Sequence, residues 1–108
     1  MTAAAAKAPR IVVVILNWNA REDTLAVLHS ITPQLGPGEA AIVVDNASVD
    51  DSLAAIGSEF PTVEVVANRQ NLGFAGGCNA GILRALERAP DWILVLNNDT
   101  RPEPDLLT

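Results

Sequence analysis

The chain has 108 residues, of which 49% are hydrophobic and 19% charged, so it is long and apolar enough for one packed domain and unlike a disordered chain. Its net charge of -6 argues against nucleic acid as a partner. A single cysteine, Cys78, excludes an internal disulfide, and the longest apolar run, residues 11–16, is too short to span a bilayer. Residues 1–9 are Ala-rich, lack the features of a signal peptide and are expected to form a flexible tail.

The predicted elements alternate between strands and helices. Uniformly apolar, β-branched runs indicate strands buried on both faces, and apolar residues at helical spacing indicate helices. In chain order we predict a strand at residues 11–16, a helix at 21–32, a strand at 40–44, a helix from about 50 to 59 capped by Asp50 or Ser48, a strand at 63–67, a helix at about 74–88 and a strand at 92–96. Glu64 indicates an edge or less buried strand, whereas the last strand (WILVL) has the pattern of burial on both faces. Residues 104–107 can begin one more helix.

This alternation predicts an α/β fold with a Rossmann-like parallel sheet, right-handed crossovers and flanking helices. The expected strand order is 3-2-1-4, and residues 10–108 are expected to form one domain. In this order the ends of the first and fourth strands lie side by side. A ligand crevice is therefore expected outside the carboxyl ends of the strands.

Three polar clusters follow predicted strands, at residues 17–19 (NWN), 45–48 (DNAS) and 97–99 (NND). In the expected topology all three meet at one edge of the sheet. Trp18 offers a flat face on which a base can stack, and Asp45 can accept a hydrogen bond from a base or a ribose. Asp99 is a candidate ligand for Mg²⁺ or Mn²⁺. Each cluster alone is more typical of a turn than of a site, and in that interpretation Trp18 covers the core and Asp45 caps a helix.

A glycine-rich segment, residues 68–81 (NRQNLGFAGGCNAG), precedes and begins the third helix. Glycines at a helix start permit close approach of a ligand, but Gly76 and Gly77 are equally consistent with tight packing of helix on sheet. Arg69 is expected at the surface and Cys78 in the core. The dinucleotide motif G-x-G-x-x-G and the P-loop are both absent, since the first strand is followed by NWNARED.

Four blocks of the sequence resemble glycosyltransferase family 2, whose members have the GT-A fold. They are VVVILNWN at 12–19, VVDNASVDDS at 43–52, NLGFAGGCNAGI at 71–82 and ILVLNNDT at 93–100. The blocks are most similar to the rhamnosyltransferase-like members. The resemblance runs over residues 11–107 and corresponds to the N-terminal, donor-binding half of the family domain.

The resemblance implies roles for matching positions. The nucleotide-binding residues would be Asn17, Trp18, Asp45, Asn71, Gly73, Asn79 and Asn98. Residues 97–99 stand at the position of the D-x-D motif, so Asp99 and Asn97 would bind Mg²⁺ or Mn²⁺. Because Asn97 replaces the first aspartate of that motif, one carboxylate is left for the metal.

The resemblance further implies inverting, metal-dependent transfer of a sugar from a dTDP- or UDP-sugar to a hydroxyl of a glycan or lipid-linked acceptor, in cell wall or polysaccharide biosynthesis. The general base and acceptor site are expected beyond residue 107, so no catalytic residue is assigned and the isolated chain is expected to be inactive. The expected location is the cytoplasm, with the inner face of the membrane as an alternative.

Two other functions stay open on the residues alone. The chain can be a non-catalytic nucleotide or nucleotide-sugar binding module, or an α/β interaction domain whose strand-end residues only form turns. Without later elements of the domain to cover it, the fourth strand is expected to leave an unpaired edge and apolar surface, which favour self-association.

Overall fold

The computed structural model describes residues 9–99 and 102–107 and confirms the predicted α/β fold. In chain order its elements are β1 (Ile11–Asn17), α1 (Arg21–Ile31), a 3-10 turn (Thr32–Gln34), β2 (Ala40–Asp45), α2 (Ser52–Glu59), β3 (Glu64–Ala67), α3 (Gly73–Leu86) and β4 (Trp92–Asn97). The predicted boundaries agree to within two residues. The predicted tail lies outside the described residues except for Pro9.

All four strands are parallel, in the predicted order β3-β2-β1-β4. In the register of the sheet, Asn17 at the end of β1 lies opposite Asp45 at the end of β2, and Leu16 lies opposite Asn97 at the end of β4. The carboxyl ends of these strands therefore meet at one edge, called here the carboxyl edge. The opposite edge, where Ile11 and Trp92 begin their strands, is called the amino edge.

Helices cover both faces of the sheet. Alternate residues of β1 point to opposite faces, so Val13 and Ile15 pack with α1 and α2, while Val12 and Val14 pack under α3. β1 and β2 are buried on both faces, as their apolar runs predict. No helix among the described residues has the length and apolar character needed to cross a bilayer.

β4 is more exposed than its sequence predicts. Trp92 is 66% and Val95 36% exposed, so the prediction of burial on both faces is wrong for this strand. Within the part of the chain that the structure describes, β4 has one neighbouring strand, and α3 packs mainly on β1 and β2 instead. The predicted open edge with apolar surface is confirmed for these residues.

The predicted helix at residues 104–107 is a turn. A helix would pair the N–H of Leu107 with the carbonyl of Glu103. The side-chain amide of Gln34 takes both groups instead, donating to the carbonyl of Glu103 at 2.9 Å and accepting the N–H of Leu107 at 2.9 Å. These two hydrogen bonds hold residues 104–107 in a non-helical conformation.

The close approach of α3 to the sheet depends on two glycines. A Cβ added at Gly81 would overlap methyl groups of Val14 and Val44, and one added at Gly77 would stand 2.5 Å from Leu16 Cδ1. Gly57 in α2, by contrast, has no atom within 4 Å of the place of a Cβ. Tight helix–sheet packing is therefore the structural role of Gly77 and Gly81.

We expect Gly81→Ala to lower the free energy of unfolding by about 1–3 kcal/mol, because the added methyl group overpacks the contact with Val14 and Val44. The matched control Gly57→Ala is expected to raise it by up to about 1 kcal/mol, since alanine is the better helix former and has free space there. Urea unfolding of both variants measures the difference. Equal effects of the two substitutions would contradict the packing account.

The β3 edge is protected by charge, unlike the β4 edge. Glu64 at the start of β3 pairs with Arg84 and, at 2.9 Å, with Arg88. Burial raises the pKa of Glu64, but hydrogen bonds from Arg88 and Arg84 outweigh it, so the pKa lies below its ordinary value of 4.5. The ion pairs of Glu64 with Arg84 and Arg88 thus connect this edge of the sheet to α3 and the residues that follow it.

A pKa lowered by folding stabilises the fold above the ordinary value of 4.5, and that stabilisation is lost as the pH falls through the folded-state value. We therefore expect Glu64→Gln to reduce the free energy of unfolding by about 0.5–1 kcal/mol at pH 7. The difference from wild type should shrink as the pH falls below 4.5 and through the folded-state pKa of Glu64, because the carboxylate then becomes protonated. The control is Glu87→Gln, which removes a more exposed partner of the same Arg84, 3.6 Å away, and is expected to have a smaller effect on the free energy of unfolding. A difference for Glu64→Gln that stays constant with pH would contradict the assignment.

Candidate functional site

A chain of hydrogen bonds runs beneath the carboxyl edge from β4 to β2. Asn98 Nδ2 donates to Thr24 Oγ1 (3.3 Å), Thr24 Oγ1 donates to Asn17 Oδ1 (2.6 Å), and Asn17 Nδ2 donates to Asp45 Oδ1 (2.7 Å). Asn17 and Thr24 are fully buried and Asp45 is 1% exposed. These four residues, together with Ser48, are called the polar network. It links the ends of three adjacent strands.

Ser48 completes the coordination of the Asp45 carboxylate. Its backbone N–H donates to Asp45 Oδ2 at 3.0 Å and its hydroxyl to Asp45 Oδ1 at 2.6 Å. The Ser48 hydroxyl in turn accepts from Asn17 Nδ2 at 3.1 Å. Both carboxylate oxygens are therefore hydrogen-bonded within the chain. Asn17 and Asp45, each predicted to contact a nucleotide, are buried and hydrogen-bonded to each other.

Trp18 stands on top of this arrangement, 54% exposed, and does not cover the core. The next residue, Asn19, has a left-handed backbone (φ 48°). Its N–H donates to the Ser48 hydroxyl at 2.8 Å, and its Oδ1 accepts the N–H of Val49 at 2.7 Å. The loop that carries Trp18 is thus fixed on both sides, so its ring is held at the surface.

Asn46 connects the end of β2 to the start of α3. It is 2% exposed; its Nδ2 donates to the carbonyl of Gly73 at 3.0 Å, and its Oδ1 accepts from Asn68 Nδ2 at 2.9 Å and from the N–H of Leu72 at 3.3 Å. A Cβ at Gly77 would stand 2.8 Å from Asn46 Nδ2. The glycine therefore leaves room for the amide that positions the loop before α3.

Asn71 and Gly73 form the turn that begins α3. Asn71 Oδ1 accepts the N–H of Gly73 at 2.8 Å, and Gly73 has a left-handed backbone (φ 76°) that favours glycine. Both residues and the neighbouring Phe74 are exposed. Asn79 is also exposed, but it lies on the solvent side of α3, because Gly77 and the residue at 81 face the sheet. The structure thus does not bring Asn79 together with the other predicted residues.

The last residue of β4 and the two residues after it alternate in direction. Asn98 is half-buried toward Thr24, whereas Asn97 and Asp99 are exposed. No three His, Cys, Asp or Glu side chains in the described part of the chain form a group that could hold a metal. A single exposed carboxylate beside amide oxygens fits Mg²⁺ or Mn²⁺ that takes most of its ligands from phosphates and water. It does not fit a closed site made entirely by the protein.

The N-cap of α2 is Asp51, so neither predicted candidate, Ser48 nor Asp50, takes that position. Asp50 lies in the turn one residue before it. Its carboxylate accepts the N–H of Ser52 at 3.0 Å and also the Ser52 hydroxyl. The hydrogen bond from that hydroxyl lowers the pKa of Asp50 against the opposing effect of burial. Ser48, the other candidate, serves the polar network instead.

A cleft of about 640 Å³ lies at the amino edge, far from these groups. Two of its polar side chains are engaged within the fold: Glu39 accepts the N–H of Ile11 at 2.9 Å, and the Arg10 guanidinium donates to the carbonyl of Ala89 at 2.8 Å. We assign the functional site to the carboxyl edge because the exposed ring and carboxylate stand there. Two residues of that edge were given no role by the sequence analysis: Thr24, and Asn46, which was placed only in the polar cluster at residues 45–48. Their contacts alone distinguish them from ordinary helix and turn residues.

One family model and several known proteins match the chain. The family model described as Glycosyl transferase family 2 matches residues 12–108. The succinoglycan biosynthesis protein ExoO of Rhizobium meliloti (strain 1021) is 32% identical over 94% of this chain and 28% of that protein. The galactofuranosyltransferase GlfT1 of Mycolicibacterium smegmatis is 30% identical over 82% of this chain and 30% of that protein. The chain thus spans less than a third of the length of these relatives.

Solved structures share the fold. A mannosyltransferase from Pyrobaculum calidifontis, in complex with GDP-Man and Mn²⁺, has a TM-score of 0.73 at 24% identity and covers 92% of this chain and 30% of that chain. Glucosyl-3-phosphoglycerate synthase from Mycobacterium tuberculosis, in complex with UDP, has a TM-score of 0.68 at 26% identity and covers 94% and 38%. The predicted GT-A-type sheet is thereby confirmed.

Proposed function

The chain belongs to glycosyl transferase family 2, and from this premise we propose that its carboxyl edge binds the nucleotide-diphosphate-sugar donor of a glycosyl transfer. One observation carries the proposal. An exposed aromatic ring, Trp18, and an exposed carboxylate, Asp99, follow adjacent strands and are joined underneath by the polar network. An aromatic face suits a base, and a carboxylate suits a metal on a diphosphate.

The base stacks on Trp18 in this proposal. Asn71 and Gly73, exposed at the start of α3, are proposed to contact the nucleotide as well. Asn17 and Asp45 support the Trp18 loop from below, because their polar groups are hydrogen-bonded to each other and to Ser48. The proposed base is uracil or thymine, and among the thymine donors dTDP-rhamnose is the specific candidate.

Asp99, with Asn97 beside it, holds Mg²⁺ or Mn²⁺ in this proposal. The metal would neutralise the negative charge of the leaving diphosphate. Such neutralisation is needed because the chain itself carries a net charge of -6 and repels an anionic donor. Asn98 is half-buried and orients this turn through Thr24.

The proposed reaction is inverting transfer of the sugar to a hydroxyl of a glycan or lipid-linked acceptor in the cytoplasm. The relative ExoO is named for succinoglycan biosynthesis, which supports a role in polysaccharide assembly. The chain spans 28–30% of the length of the curated relatives. We therefore propose that these residues supply donor binding, and that the base that deprotonates the acceptor comes from outside them.

Tryptophan fluorescence tests the proposed base site, because the two tryptophans, at 54% and 66% exposure, lie at opposite edges of the sheet. UDP or dTDP added with Mn²⁺ is expected to quench Trp18 and not Trp92. Trp18→Ala should weaken binding about tenfold or more, since stacking of a base on an aromatic ring contributes about 1–3 kcal/mol. The matched control Trp92→Ala should bind as the wild type does. No binding by the wild type, or equal loss in both variants, would contradict the site.

The metal assignment has its own variant. Asp99→Asn is expected to keep the nucleotide affinity measured without metal and to lose the gain that Mn²⁺ gives the wild type. Isothermal titration with and without Mn²⁺ measures both values. A full Mn²⁺-dependent gain in Asp99→Asn would rule Asp99 out as the ligand.

We also propose that the open β4 edge pairs with a second copy of the chain. β4 reads WILVLN, without the charges or prolines that protect edge strands. Sedimentation is expected to show concentration-dependent dimers. Val95→Lys, which places a charge beside the edge, should give monomers, while the control Val49→Lys, at a residue 90% exposed elsewhere, should not. A wild type that stays monomeric at high concentration would refute this contact.

A further inference from the structure

Thr24 directs its hydroxyl away from its own helix. It lies in the first turn of α1 and is fully buried. A threonine in a helix commonly returns its hydroxyl to a backbone carbonyl three or four residues earlier. Here the carbonyl of Ala20 accepts the backbone N–H of Thr24 at 3.0 Å, while the hydroxyl donates to Asn17 Oδ1 at 2.6 Å.

The same hydroxyl oxygen receives a hydrogen bond from the other side of the site. Asn98 Nδ2, next to Asp99 in the chain, donates to it at 3.3 Å. Asn17 extends this series of hydrogen bonds, because its Nδ2 donates to the buried carboxylate of Asp45. Thr24 therefore joins the turn that carries the proposed metal ligand to the buried pair beneath Trp18.

All three hydrogen bonds of this series run in the same direction, from Asn98 toward Asp45. Asn98 donates to Thr24, Thr24 to Asn17, and Asn17 to the Asp45 carboxylate. Hydrogen bonds aligned in this manner polarise one another, and a charged acceptor at the end strengthens them. A change in the orientation of the Asn98 amide therefore alters the hydrogen bond that the buried Oδ1 of Asn17 accepts from Thr24.

We infer that Thr24 is a positioning residue that couples the two ends of the donor site, so that metal bound at Asp99 tightens binding of the nucleotide at Trp18. The inference rests on the proposed function and adds to it a residue that touches neither ligand. Thr24 holds the Asn98 amide inward, which fixes the turn before Asp99. The same hydroxyl keeps Asn17 in the orientation that supports the Trp18 loop.

The test uses the 108-residue chain and isothermal titration with UDP or dTDP, whichever binds, in the presence and absence of Mn²⁺. The ratio of the two Kd values is the coupling factor. Thr24→Val replaces the hydroxyl by a methyl group of similar size, and Thr24→Ser keeps the hydroxyl but removes a buried methyl group. Thermal unfolding of both variants reports the purely structural cost of each substitution.

We expect the coupling factor to fall at least about fivefold in Thr24→Val and to stay within about twofold of the wild type in Thr24→Ser. A merely structural role would lower Tm in both variants and leave the coupling factor unchanged. An unchanged factor in Thr24→Val overturns the inference, and so does a wild type that binds nucleotide equally well without Mn²⁺. A wild type that binds neither nucleotide overturns the proposed donor site itself, and the inference with it.

A second variant applies if Thr24→Val does not fold. Asn98→Leu cuts the same bridge at its half-buried end, where the fold tolerates a change more readily. The coupling factor is expected to fall by a similar amount. A coupling factor in Asn98→Leu equal to that of the wild type overturns the inference.

Discussion

The hydrogen bond between Asn17 and Asp45 is the interaction on which the carboxyl edge depends. The two residues end adjacent strands at opposite positions of the register, and both are buried. A buried carboxylate is costly unless donors surround it. Asn17 and Ser48 supply those donors. In doing so they fix the loops after β1 and β2, which carry the exposed groups of the proposed donor site.

The packing of α3 extends this constraint to the rest of the site. Gly77 and Gly81 let the helix lie close to β1 and β2, and the space at Gly77 also admits the amide of Asn46. Asn46 then holds the turn at Gly73, where α3 begins. Glycine inside a helix lowers its intrinsic stability by about 1 kcal/mol per residue. The chain accepts this cost at two positions where close packing sets the geometry of the edge.

The fold follows from the sequence where burial and composition agree. The runs at β1 and β2 are apolar, β-branched and buried on both faces, and the strand order follows from the alternation of strands and helices. The run at β4 has the same composition but lies at an edge of the sheet. Its exposure was not predicted, because composition alone does not tell how many neighbouring strands a strand has. The conformation of residues 104–107 depends on hydrogen bonds with Gln34, which is distant in sequence, so no local sequence pattern predicts it.

The candidate site is predictable in part for a related reason. The position of Trp18 and Asp99 at strand ends follows from the topology, and both are exposed. Whether Asn17 and Asp45 face a ligand or each other depends on the register, which their residue types do not reveal. The bond of Thr24 to Asn17 is likewise invisible, since a threonine in a first helical turn ordinarily bonds within its own helix.

The most direct test of the central claim, that the carboxyl edge is the donor site, is an NMR titration of the ¹⁵N-labelled chain with UDP or dTDP, first with Mg²⁺ and then with trace Mn²⁺. The account predicts shifted amide signals at Trp18, Val49 and Gly73, paramagnetic broadening centred on Asp99, and unchanged signals at the amino edge. Shifts confined to the amino-edge cleft, around Arg10 and Glu39, would contradict it.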